Sequence, residues 1–186
     1  MDIAEHSITL ISIIVGLGLT EMLGNLLRLI RKRDQVRWDP LALAWVAGMV
    51  LLVLNYWWAL YLGLDGSGQA RTAAELGLVL APPLLLFVTT ASALPNFEPD
   101  SDWDMRRHYA AHRKVFILTF ALYQVSTWAV ALLTGSISLD IRTVSRAAVL
   151  ALLVSMLVIK SRRWDWACVL MILGLLALRL TTQVVR

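Results

Sequence analysis

Apolar positions along this chain fall into six runs, each close to the ~20 residues of helix that cross a bilayer. Short polar stretches separate them. The runs predict helices over residues 7–30, 40–63, 72–94, 115–134, 139–160 and 164–184. Local chemistry fits these boundaries. Asp39-Pro40 places a capping carboxylate before a proline at the first helical position. Thr72 and Glu75 have capping-box spacing ahead of the third run. Pro82-Pro83 removes two backbone donors mid-helix, so the third helix is expected to kink. Residues 95–114 turn from acidic (Glu98, Asp100, Asp102, Asp104) to basic (Arg106, Arg107, Arg113, Lys114), an order that suits the dipole of a surface helix over 101–113. Trp103 would anchor that helix at the membrane interface. The expected fold is an all-α integral membrane protein, one domain built as a six-transmembrane-helix bundle.

The first run carries the densest pattern. Thr9, Ser12, Gly16, Thr20, Gly24 and Arg28 recur every third or fourth position, so they stack along one side of a helix. Glu21 and Asn25 lie beside that line. Small residues at this spacing let a second helix approach closely, and a carboxylate in an apolar span faces protein or water. The stripe is therefore read as a packing seam or a polar path. Glu75 is explained by its capping box alone.

Composition agrees with the pattern: 59% of the 186 residues are hydrophobic and 16% are charged, with mean hydropathy +0.69. The net charge of +4 does not point to nucleic acid, because the basic residues sit at the ends of apolar runs. Twelve of the seventeen Lys and Arg fall in three alternate turns, after the first helix, before the fourth and between the fifth and sixth. The positive-inside rule then puts both termini outside. The start has no basic leader and no small-residue cleavage site, so the first helix is expected to be retained. Tyr56, Trp57, Trp58 and Tyr61 form an aromatic belt at the outer interface, and Trp38 and Trp45 mark the inner one. Cys168 is the single cysteine, which excludes an internal disulfide.

Other polar positions invite chemistry. Helix two places Asn55 in its outer half, and helix four has a polar line through Thr119, Tyr123, Ser126 and Thr127, with Gln124 adjacent. Such groups are usually inter-helix hydrogen-bond partners worth ~1 kcal/mol each. Arg142, Arg146 and Arg179 lie on the outer side, and Arg146 is deep enough to want a partner among Glu5, Glu75 and Asp140. Asp104, His108 and His112 share a helix face at the spacing of a transition-metal site. A solvated face among headgroups is the preferred account, because no Cys partner or second His pair completes a ligand set, and no metal or other cofactor is expected. Arg37-Trp38-Asp39 and Arg163-Trp164-Asp165 echo one another at two helix entries, a likeness that convergent interface chemistry explains.

Residues 11–20 (ISIIVGLGLT), the NYWW run at Asn55 to Trp58 and the pattern His108-Tyr109, His112-Arg113, Phe116 are similar to stretches in an uncharacterised family of small multi-helix bacterial inner-membrane proteins. The resemblance implies a bacterial inner-membrane location and a multi-helix membrane fold. It brings no activity, ligand or catalytic residue. Catalysis is not expected from the residues either. The histidines lie at or beyond the interfaces, and Ser12 and Glu21 are about 13 Å apart along the helix axis. Glu21 would cost ~3 kcal/mol if charged at the bilayer centre, which turns the expectation toward an oligomeric channel or transporter for an ion or small polar solute. The alternative is a non-catalytic accessory or scaffold subunit of a larger membrane complex, whose partners are copies of this chain or other membrane subunits.

Overall fold

The computed structural model describes residues 3–62, 72–95, 103–133 and 141–184. Among the described residues there are six α-helices, α1 (Ile3–Arg31), α2 (Pro40–Tyr61), α3 (Ala73–Ala91), α4 (Met105–Leu133), α5 (Ile141–Val158) and α6 (Arg162–Val184), with a short 3-10 turn at Arg33–Gln35. Among the described residues α1, α2, α3, α4 and α6 are long and apolar enough to span a membrane. The apolar part of α5, Thr143–Val158, gives about 24 Å of helix against a hydrocarbon core of ~30 Å. The chain is a multi-pass membrane protein.

The helix starts follow the capping chemistry. Asp39 accepts from Leu41 N (3.2 Å) ahead of Pro40 at the start of α2. Thr72 and Glu75 exchange the two bonds of a capping box, each 3.2 Å. α3 is helical through Pro82 and Pro83, both buried. The surface helix expected over 101–113 and the fourth span are one helix from Met105 onward, with residues 101–102 outside the described set. No proline or glycine interrupts α4, so the charged segment simply extends the apolar one. Also outside the described set are the loop at residues 65–68, the acids Glu98, Asp100, Asp102 and Asp140, and the side chains of Glu5 and Arg142.

Helix neighbours run α1, α3, α4, α5, α6, α2 and back to α1, a closed ring in which α2 leans inward to touch α3 and α4 as well. Burial matches that position: 56% of the apolar window of α2 is covered by the bundle, against 28% for α1. Trp45 sits in the core at 1% exposure. It packs edge-on against Phe116 (4.9 Å, 69°) and Phe120. This corrects the reading of Trp45 as an interfacial residue. Its ring turns toward α4, where Tyr109 accepts the indole N–H at 3.4 Å, and an indole with a partner packs well inside. Trp38, Trp57 and Tyr61 are exposed, as a belt requires, whereas Tyr56 of the expected outer belt is turned into the bundle at 7% exposure and Trp58 is half-buried.

The close approach in α1 is at Gly18. A Cβ there would lie 2.6 Å from Thr90 Oγ1 and 3.1 Å from Phe87 Cα, so α3 occupies the space a side chain would need. The buried line of α1 runs through Ser7, Ile11, Val15, Gly18, Met22, Asn25 and Leu29, a heptad-like spacing suited to one facing helix.

Candidate functional site

Three connections gather at the basic end of the bundle, where α1, α3 and α5 finish and α2, α4 and α6 begin. Backbone bonds join two of them: Arg37 N donates to Trp103 O (3.0 Å) and Met105 N to Arg37 O (3.2 Å). Lys32 Nζ lies 4.7 Å from the centre of the Trp103 ring, a cation–π contact. The third is held by ion pairs. Arg162 Nη2 donates to Asp39 Oδ1, linking the first turns of α6 and α2.

The densest set of side-chain hydrogen bonds at this end is centred on Asp165, in the first turn of α6 and 3% exposed. Arg113 grips it with both sides of its guanidinium, Nη2 to Oδ1 at 2.6 Å and Nε to Oδ2 at 2.8 Å. Tyr109 donates to Oδ2 at 3.2 Å and itself accepts from Trp45. Arg113 Nη2 also reaches the carbonyls of Met156 (2.6 Å) and Ile159 (3.1 Å), satisfying the end of α5. One arginine thus joins α4, α5 and α6. The charge on Asp165 is further favoured by its place at a helix N-terminus. A buried pair with this many hydrogen bonds holds a register more than it adds net stability.

The stripe on α1 is divided by the structure. Thr9, Gly16 and Thr20 are exposed and Ser12 is half-buried. A Cβ at Gly16 or Gly24 would have open space within 4 Å. The small-residue line therefore faces away from the bundle, and Gly18, outside the line, makes the packing contact. Asn25, 1% exposed, donates to Glu21 Oε1 and accepts from Arg28 Nη1, both at 3.3 Å. Glu21 and Arg28 are exposed, on the edge between the buried and outward faces.

The remaining candidates divide between two helices' interfaces. Asn55 ties α2 to α6: its Nδ2 donates to Leu51 O (2.8 Å) and to Leu176 O (3.2 Å). Ser126 and Thr127 are buried and donate to their own helix, to the carbonyls of Tyr123 and Gln124, both at 2.8 Å. Tyr123 is buried with its ring 6.3 Å from that of Tyr56. Arg146 of α5 and Arg179 of α6 both lie within electrostatic reach of its hydroxyl. Those two arginines therefore lie near Tyr123, in the half of the bundle remote from Asp165.

Asp104, His108 and His112 do not assemble as a ligand set. Among the described residues no three His, Cys, Asp or Glu are placed to hold a metal ion. Asp104 is drawn to the start of α4 instead, where it accepts from Arg107 N (3.0 Å) and pairs with Arg37 (3.6 Å). The Arg107 N–H, with help from Arg106 N–H and the Arg37 charge, holds its carboxyl below the usual carboxylate range. The two imidazoles stack at 4.3 Å, and His112 Nδ1 contacts the carbonyl of His108 at 3.1 Å.

Sequence reasoning treated Asp39 and Asp165 as caps and Arg113 as one more inner-side cation. The repeated basic-Trp-Asp entry marks both aspartates but not their partners, since each binds an arginine remote in sequence. No family model, curated protein or solved structure matches the chain.

Proposed function

We propose that this chain is a non-catalytic subunit of a larger membrane assembly, docked on a foreign transmembrane helix through the outward face of α1. In this reading the membrane is a bacterial inner membrane and the basic end faces the cytoplasm, as the distribution of Lys and Arg supports. The observation that carries the proposal is the placement of Glu21. It is exposed in an apolar span beside open small-residue positions, and Asn25 is its hydrogen-bond partner among the described residues. A carboxylate on lipid is costly, whereas a partner helix bringing a donor or cation at that depth removes the cost and fills the space above Gly16 and Gly24.

A second copy fits less well. Copies inserted in the same direction bring Glu21 against Glu21, while Arg28 lies about 10 Å further along the axis and is out of reach. The channel or transporter reading draws on the same Glu21. Of the interior groups it would recruit, the Asn55 amide N–H donates to α6 and the Ser126 and Thr127 hydroxyls donate to their own helix, which favours the subunit reading, although Asn55 Oδ1 and Gln124 Nε2 are buried without a partner among the described residues.

Site-directed cross-linking in native membranes tests this. Thr20→Cys and Gly24→Cys are expected to trap one and the same foreign chain, while Leu118→Cys, exposed on α4, traps none. Gly16→Trp should abolish the adduct without changing the protein's own stability. Adducts only with a second copy, or solute flux by the purified chain in liposomes that Glu21→Gln abolishes, would sink the proposal.

A further inference from the structure

The cations at the basic end are not all committed to ion pairs. A cavity of about 390 Å³ opens between the first turns of α4 and the α5–α6 turn. Its charged lining is Arg106, Arg113, Lys114, Lys160, Arg162 and Asp165. Among the described residues Asp165 is the one acid in that lining, and both of its oxygens are held by Arg113, with Tyr109 on the second. Arg162 is shared with Asp39. Arg106, Lys114 and Lys160 are exposed, and among the described residues none of the three has an acidic partner. Three positive charges without an acidic partner among the described residues thus line one concavity whose walls are helix and aromatic ring.

A concave, low-dielectric wall concentrates such a field. The volume falls at the lower end of ligand pockets, ~300–1,000 Å³. One guanidinium and two ammonium groups approaching from different elements suit a tetrahedral oxyanion with several acceptor oxygens. The cavity also lies where α4 and α6 begin, the level at which membrane spans meet headgroups, and basic pockets between spans bind phosphate headgroups there. We propose that this cavity binds a phosphate-bearing anion, either the headgroup of an anionic phospholipid or a free phosphate compound. The Arg113–Asp165 pair serves as its rigid floor, and Arg106, Lys114 and Lys160 supply the attraction.

Native mass spectrometry of the full chain, released from neutral detergent after addition of phosphatidylglycerol, phosphatidylcholine or inorganic phosphate, tests the site. The triple variant Arg106→Gln/Lys114→Gln/Lys160→Gln is expected to lower retention of the anionic probe at least tenfold, given roughly fivefold per cation near a membrane surface. Arg31→Gln/Arg33→Gln/Arg163→Gln removes the same charge from exposed positions outside the cavity lining and is expected to retain it. Lys114→Arg/Lys160→Arg, which preserves charge, is also expected to retain it. Retention of phosphatidylglycerol that inorganic phosphate does not displace identifies a lipid headgroup. Uptake of inorganic phosphate in competition with phosphatidylglycerol identifies a free phosphate compound. Equal loss in both triple variants, or phosphatidylcholine held as firmly as phosphatidylglycerol, overturns the proposal.

Discussion

At the scale of single residues, Asp165 and Asp104 illustrate two uses of a carboxylate at a helix start. Asp165 is buried and gripped by Arg113. Asp165→Ala leaves an uncompensated guanidinium and is expected to destabilise by about 3–5 kcal/mol. Arg113→Met/Asp165→Leu should recover much of that loss, because an apolar pair of similar volume removes both desolvation costs. Thermal unfolding in detergent measures both. Tyr109→Phe keeps the shape and removes one hydrogen bond, for a loss of about 1 kcal/mol. Asp104 is held below the ordinary carboxylate range chiefly by the Arg107 N–H. A carboxyl lowered in the folded state stabilises it above the unfolded value, and that contribution is lost as pH falls through the folded value. Melting temperature should therefore drop with acid below about pH 4, and Asp104→Asn should flatten that part of the profile. These roles were only half legible in the sequence. A cap is a local pattern, but the arginine that answers Asp165 lies 52 positions away, and neither residue's neighbourhood predicts the pairing.

At the scale of the element, α1 shows how periodicity can identify a face without saying what it meets. The spacing of Gly16, Thr20 and Gly24 marks a line that accepts a helix, yet α3, the main neighbour of α1 within the chain, lies against Gly18. The deciding information is which side of α1 is more apolar and larger: Ile11, Val15, Met22 and Leu29 fill the bundle better than the small-residue side does. Opposite outcomes follow for two neighbouring glycines. Gly18→Leu should push α1 off α3 and cost about 1–3 kcal/mol by overpacking. Gly16→Leu should leave the isolated protein's stability within about 0.5 kcal/mol while blocking the proposed docking. Denaturation of the two variants side by side, with partner cross-linking, separates the faces. The six runs and the caps at Asp39 and Thr72 were readable because each depends on residues within a few positions. The fusion of the charged segment into α4 was less so, since a polar helix and an apolar one joined without a breaker look like two elements by composition.

For the whole molecule, the three basic turns form a single tied surface, with Arg37 against Asp104, Arg162 against Asp39 and Arg113 against Asp165. Fold class and the gathering of positive charge at one end could be read from runs and from counting Lys and Arg. The order of helices around the ring could not, because lipid-facing and helix-facing apolar residues have the same composition. The ties also order events during synthesis. Asp39 and Arg113 emerge on α2 and α4, but Arg162 and Asp165 arrive only with α6. Until α6 is in place, Asp39 and Arg113 have no answering group from it. A chain halted before the last span is therefore expected to carry unmatched charge and to be degraded faster. Truncation after residue 140 should shorten the protein's half-life in a pulse-chase, and the neutralising pair Asp39→Asn/Arg113→Gln should lengthen it again.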